Sequence, residues 1–255
     1  MKKDLRHAPI ALFDSGAGGI SVLREVKKLL PREQLLYFGD TANAPYGERS
    51  DSEVRQLVLD AAARLIPHCK ALVLACNTAT AVAAAELRRR HPDTPVIGME
   101  PALHPALKAG GHPVVAVLAT AATLRSEKFK NLCKRYEKTA FFHPIQAPGI
   151  VRLVEAGQAD SPYMDIYLKE LLLSLPKRPD ALVLGCTHFP FAKAALERVF
   201  GDIPCFDGAT GTAKELCRRL QQQDLLAPDT AAGGILLTAS VATSLPLFSK
   251  LLYQP

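Results

Sequence analysis

Two stretches of this chain are nearly the same. ALVLACNTATAVAAAELRRR begins at Ala71, ALVLGCTHFPFAKAALERVF begins at Ala181, and the two align without a gap. Each is an apolar run of strand length, a cysteine (Cys76, Cys186), a few polar residues and then a segment with helical spacing. Upstream, IALFDSGAGG at Ile10 aligns with VAVLATAATL at Val115 at nearly the same separation. ALVL alone is a common buried-strand sequence, so the second landmark is what argues for duplication. Solenoid repeats run about 20–50 residues; a repeat on this scale is a pair of related domains. The expected halves are residues 1–98 with a returning tail 208–255, and residues 99–207.

The rest of the chain alternates in the same way. Strand-like runs stand at Ile10–Phe13, Leu35–Phe38, Ala71–Ala75, Val96–Met99, Val114–Ala119, Ala181–Gly185, Ile203–Phe206 and Gly233–Ala239. Helical spacing marks Ser21–Leu30, Val54–Leu65, Thr78–Arg90, a helix from about Ser126, Phe191–Val199 and Thr212–Gln222, with a further segment over Glu155–Leu175. Continuous apolar strands alternating with helices predict an α/β fold. Two pseudo-symmetric domains are expected, each a mainly parallel sheet flanked by helices, with an active site in the cleft between them.

Composition narrows the function. The 255 residues are 48% hydrophobic and 22% charged, which suits a globular chain and not a disordered one. No run approaches the ~18 apolar residues of a membrane span, and MKKDLRHAPIALFDSG has no apolar core of a signal peptide before Asp14. A cytoplasmic location is expected, with no membrane partner. Six cysteines in a reducing compartment are expected as free thiols, and with no CxxC pair no metal site is expected. The net charge of +6 invites a nucleic-acid reading. The densest cluster, Arg88–Arg90, ends a predicted helix, where cations meet the dipole, and aromatics are only 6% of residues. No nucleic-acid partner is expected.

Ligands of parallel sheets bind beyond the carboxyl ends of strands. Four marked segments sit there: DSGAGG (14–19), GDTANAPYG (39–47), CNTAT (76–80) and GCTHFP (185–190). DSGAGG lacks the spacing of a dinucleotide fingerprint and no GK[ST] follows it, so phosphate binding has little support. A cysteine is often only a small buried hydrophobe, a reading that suits Cys69, Cys133, Cys205 and Cys217. Cys76 and Cys186 differ in that polar residues follow each at a strand-to-helix turn. Helix N-termini favour the thiolate, so both are expected to be activated, with Asp14 orienting or deprotonating Cys76 and His188 serving Cys186. Facing thiols of this kind can take a proton from one face of a carbon and return it to the other. Ser15, Asn77, Thr78, Thr187 and the amides near Gly47 offer neutral groups for carboxylates and an ammonium. The alternative for Asp14, Ser15, Thr78 and Thr187 is helix capping.

These residues carry a resemblance. FDSGAGG (13–19), GDTANAPYGERS (39–50), ACNTAT (75–80), EPA (100–102) and GCTHFP (185–190) stand in the order and spacing of the cofactor-independent glutamate racemases of the aspartate/glutamate racemase superfamily. The chain departs from many members at Asn43, often arginine, and at Met99, often valine. The resemblance implies reversible interconversion of L- and D-glutamate without a cofactor, supplying D-glutamate for peptidoglycan. It implies Cys76 and Cys186 as the two bases, assisted by Asp14 and His188, with Glu155 as a further acid. Asp40 matches a family acidic position. Substrate contacts carry over to Asp14, Ser15, Tyr46, Gly47, Asn77, Thr78, Thr187 and His188, with Thr120 and Thr123 of LATAAT added. A homodimer is implied as the assembly. An aspartate racemase and a non-catalytic two-lobed amino-acid-binding module are the alternatives. GCTH and the complete PYG argue against the first, the paired cysteines against the second.

Overall fold

The computed structural model describes residues 4–109 and 112–254. The outermost residues of the expected first half (1–3 and 255), and positions 110 and 111 of the second, lie outside them. The strands are β1 (Ile10–Asp14), β2 (Gln34–Gly39), β3 (Ala71–Leu74), β4 (Val96–Gly98), β5 (Val114–Ala119), β6 (Phe141–Gln146), β7 (Ala181–Leu184), β8 (Cys205–Asp207) and β9 (Gly234–Ala239). They form a five-stranded sheet, β4-β3-β1-β2-β9, and a four-stranded sheet, β6-β5-β7-β8. Every pairing is parallel.

Exchanging β1–β4 for β5–β8 turns the first order into the second, with β9 left over. Register repeats as well. Ile10 pairs with Ala71 in one sheet, and the aligned residues Val115 and Ala181 pair in the other. The repeat in sequence is therefore a repeat of topology. The four strands β1, β3, β5 and β7 are buried along their whole length, because helices cover both sheet faces and leave no polar side.

Several elements differ from expectation. β6, with the sequence FFHPIQ, was not expected as a strand. It lies at a sheet edge, half exposed, where Pro144 needs to give no ladder hydrogen bond. The second helix begins at Asp51, three residues early, because Ser50 and Glu53 cap each other reciprocally. The segment over Glu155–Leu175 is part of two helices, Pro148–Glu155 and Pro162–Leu173, the latter capped by Ser161. A short helix, Ala121–Arg125, precedes the one at Glu127–Tyr136. The helix expected at Phe191 is a 3-10 turn, Phe189–Ala192, followed by Lys193–Phe200.

One buried cluster runs through both sheets, joining Ile10, Leu12 and Tyr37 to Leu118, Leu184 and Phe189. The tail returns to the first sheet through β9 on β2, and Phe248 of helix Leu245–Tyr253 packs edge-on to Tyr37 at 5.4 Å. No helix among the described residues is long and apolar enough to cross a membrane.

A buried ion pair fastens both ends of the first half. Lys70 Nζ lies 2.5 Å from Glu33 Oε2 and donates to the Arg6 carbonyl at 2.6 Å, while Glu33 Oε1 accepts from the Ala227 amide at 2.8 Å. Removing one partner strands a buried charge, at a cost of about 3–5 kcal/mol. Lys70→Ala is expected to lower the urea unfolding free energy by that amount, and Lys70→Met with Glu33→Leu to recover most of it. A single-variant loss near zero would show that the pair holds nothing.

Candidate active site

The carboxyl ends of the central strands open onto one cavity of about 300 Å3, within the size range of small-ligand sites. Its wall takes Ser15, Tyr46, Gly47, Cys76, Asn77 and Thr78 from the first half, and Thr120, Thr123, Cys186, Thr187 and His188 from the second. Of the residues expected at the site, only Asp14 and Glu155 are absent from that wall. Both stand behind it and hold residues that form it.

The two cysteines occupy equivalent strand ends but different environments. Cys76 is the N-cap of helix Asn77–Arg90; its Sγ accepts from the Ala79 amide at 3.4 Å and donates to Ser15 Oγ at 3.9 Å. The expected activation by the helix end does not hold there. Burial pushes the Cys76 thiol up to about 12, the negative charge of Asp14 adds to the rise, and the single amide does not offset them. Cys186 does not cap a helix at all. A turn follows it and Pro190, which has no amide to donate, sits in the 3-10 segment beyond. Its partner is His188, with Nδ1 at 3.6 Å from Sγ.

His188 is the middle of a chain of contacts. Its Nε2 lies 2.6 Å from Glu155 Oε1, and the same oxygen accepts from the Ala17 amide at 2.7 Å. Burial by itself would lower the His188 pKa, but the bonds to Cys186 and Glu155 outweigh it and hold it well above the ordinary value. Burial likewise raises Glu155, and the bond and charge of His188 with the Ala17 amide outweigh that, leaving it below the usual range. The result is an imidazolium–carboxylate pair with the Cys186 sulfur beside the ring's other nitrogen. Glu155 thus orients His188 and is turned from the cavity, a different place from that of a free acid.

Asp14 also differs from expectation. No hydrogen bond joins it to Cys76 among the described residues. Oδ1 accepts from the Gly16 amide at 2.8 Å and Oδ2 from Thr187 Oγ1 at 3.2 Å, across the two halves. Burial raises its pKa. Its effect on Cys76 acts through space and favours the protonated thiol.

The glycines of DSGAGG have a steric reason. A Cβ at Gly16 would stand 2.1 Å from Glu155 Oε1, and one at Gly18 would stand 2.4 Å from His188 Nδ1. The second half fills the space that side chains would need, as Thr120 does beside Gly47, where a Cβ would be 2.7 Å from its own.

The capping alternative holds for none of Asp14, Ser15, Thr78 and Thr187, since none is the N-cap of a described helix. Thr120 does cap Ala121–Arg125. Thr78 Oγ1 instead meets Thr120 Oγ1 at 3.1 Å, and Thr187 meets Asp14. Thr123 completes the hydroxyl cluster, 3.0 Å from Thr120. Asn77 is buried and lines the cavity, and neither amide atom has a hydrogen-bond partner among the described residues. Tyr46 donates its hydroxyl to Asp40 Oδ2 at 2.7 Å, and Asn43 Nδ2 meets both Asp40 oxygens at 3.0 Å. The wall also includes Glu48, Arg125, Gln146 and Arg152, which were not expected. Gln146 ends β6 and Arg152 lies in Pro148–Glu155, so reading that strand and helix in the sequence would have found both.

Comparisons with known proteins agree with this geometry. A model of the Asp/Glu/hydantoin racemase family matches residues 17–216. A glutamate racemase of Clostridium perfringens is 42% identical over 238 residues, 92% of this chain and 92% of that protein. The glutamate racemase of Francisella tularensis, solved with D-glutamate, is similar at a TM-score of 0.81 and 27% identity, covering 97% of this chain and 94% of that one. The Escherichia coli glutamate racemase, solved with L-glutamate and the activator UDP-MurNAc-Ala, is similar at 0.82 and 30% identity, covering 96% and 95%.

The His188–Glu155 pair has a signed pH dependence. A raised histidine pKa stabilises the fold fully below its unfolded value near 6.5, and that stability is lost as pH rises through the folded pKa. A lowered glutamate pKa stabilises above about 4.5, and that stability is lost as pH falls through the folded pKa. Urea unfolding of Glu155→Gln against the parent is therefore expected to show its largest deficit between those limits. The deficit should shrink at both extremes; a deficit independent of pH would show that the pair is uncharged.

Proposed function

The chain belongs to the Asp/Glu/hydantoin racemase family, and we propose that it is a glutamate racemase, interconverting L- and D-glutamate by proton transfer between two cysteines. The observation that carries this reading is the placement of Cys76 and Cys186, at equivalent ends of β3 and β7, on the wall of one cavity. D-glutamate made in this way supplies peptidoglycan synthesis. The reading takes residues 1–98 with 208–255 as one unit and 99–207 as the other. It takes the enzyme as cytoplasmic and homodimeric on the ground of the family resemblance.

The different settings of the thiols suggest the order of events. Cys76, buried and near Asp14, rests protonated. Cys186 has a proton partner in His188, itself held by Glu155. In one direction the Cys186 thiolate takes the α-proton and becomes a thiol. The electron pair stays on the α-carbon, and the Cys76 thiol gives its own proton to the opposite face and becomes a thiolate. No electrons leave the pair of reactants, and the reverse direction starts from the opposite protonation state. Developing charge beside an ionised carboxylate needs fixed dipoles. Asn77, whose amide has no hydrogen-bond partner among the described residues, and the hydroxyls of Ser15, Thr78 and Thr187 supply them.

Racemisation of L-glutamate in deuterated water is expected to place deuterium at the α-carbon of the product, with L-aspartate as the parallel sample. Cys76→Ser and Cys186→Ser are each expected to lose about 10²–10⁴-fold in rate, the usual contribution of a positioned acid or base. A racemised product carrying only protium, or either variant at full rate, would overturn the two-base scheme. Turnover of aspartate alone would move the substrate assignment.

A further inference from the structure

Helix Pro148–Glu155 follows β6 and reaches the first half at two points. At its end, Glu155 holds both His188 and the Ala17 amide. Three residues earlier, on the same helix face, Arg152 Nη2 meets Glu48 Oε1 at 2.6 Å. Glu48 closes the 3-10 turn Tyr46–Glu48, which follows β2, the strand that β6 repeats. Both residues line the cavity. The helix is only eight residues long and has no side-chain cap at its start, so capping does not fix how it seats.

We propose that the Arg152–Glu48 pair positions the proton-transfer machinery of the second cysteine. It clamps helix Pro148–Glu155 to the Tyr46–Glu48 turn, so that Glu155 stays on His188 and His188 on Cys186. The proposal rests on the racemase reading above. Arg152 and Glu48 are positioning residues, acting through Glu155. An exposed ion pair contributes only roughly 0–1 kcal/mol to stability, so by bulk measures this one is dispensable. Its leverage is geometric. A displacement of about 1 Å at a site of proton transfer can cost 10²-fold in rate, and the Glu155–His188 contact of 2.6 Å has no slack to absorb one. A surface pair one turn from that contact therefore acts on rate more than on fold.

The test uses the whole protein and four single variants, Arg152→Gln, Glu48→Gln, Arg152→Glu and Glu48→Arg, with the double charge exchange. Each glutamine variant is expected to lower kcat about fivefold, the equivalent of roughly 1 kcal/mol, with KM nearly unchanged. The charge-reversed singles should fall further, and the double exchange should recover most of the loss. Labelling with iodoacetamide, read by peptide mass, gives a second readout without turnover. The ratio of Cys186 to Cys76 labelling should fall in Arg152→Gln, with Cys76 as the internal reference for entry of the reagent into the cavity. A loss confined to KM would make Arg152 a substrate contact and overturn the proposal. So would a double exchange no better than the worse single, or an unchanged labelling ratio. If the parent protein itself fails to racemise glutamate, the racemase reading fails, and the labelling ratio still decides the role of the pair.

Discussion

The Glu155 carboxylate crosses from one half of the molecule to the other, and the geometry of the cleft follows from where it lands. One oxygen accepts from both the His188 ring and the Ala17 amide. That double acceptance is possible only because Gly16 and Gly18 leave room for the carboxylate and the imidazole. With the space filled in this way, the Asp14–Thr187 bond closes beside it and the Ser21 hydroxyl reaches the Thr187 carbonyl at 3.0 Å. The two sheets then meet with their cysteine-bearing strand ends on one cavity. A half-buried charge that is paired is tolerated where a lone one is not, so the contact through this one oxygen constrains both halves at once.

Duplication supplied a symmetric frame, and the chemistry placed on it is asymmetric. In the first half the residues after the cysteine continue directly into a helix, so Cys76 becomes its cap and is surrounded by a hydroxyl, an amide and a nearby carboxylate. In the second half THFP interrupts that path, and the histidine it contains turns back to the thiol. One thiol is held in the protonated form by burial; the other is given a proton partner. An enzyme that must present an acid on one face of a carbon and a base on the other gains from that difference. Perfect symmetry would leave both thiols in the same state.

Cross-cleft contacts fall into two groups. In the wall and behind it, Asp14, Thr187 and His188 are buried and Glu155 is half-buried, and they satisfy one another, which makes them costly to disturb. Nearer the solvent, Thr78 with Thr120, Gly47 against Thr120, and Glu48 with Arg152 join the halves through small or exposed groups. The deep group sets protonation. The outer group sets how the halves sit while protonation is used.

Much of this was legible in the chain. The repeated ALVL–cysteine segments announced two related α/β halves, because a strand buried on both faces must be apolar throughout and a duplicated run of that kind is visible without structure. The marked segments at strand ends named eleven residues of the cavity wall, since loops after parallel strands converge on one side. Short or edge elements stayed hidden. β6 carries a histidine and a proline tolerated only at a sheet edge, and Pro148–Glu155 is a single pair of turns, so Gln146 and Arg152 went unread with them. The alternation of buried strands with helices and the chemical types present at the strand ends were set by the sequence alone. That Cys76 stays a thiol, that Asp14 faces Thr187 and not Cys76, and that Glu155 serves His188 while holding the Ala17 amide depend on burial and on distances of about 3 Å between residues 33 to 173 positions apart. Only the folded chain brings such groups within reach, because desolvation and hydrogen bonding have no value until the halves close on each other.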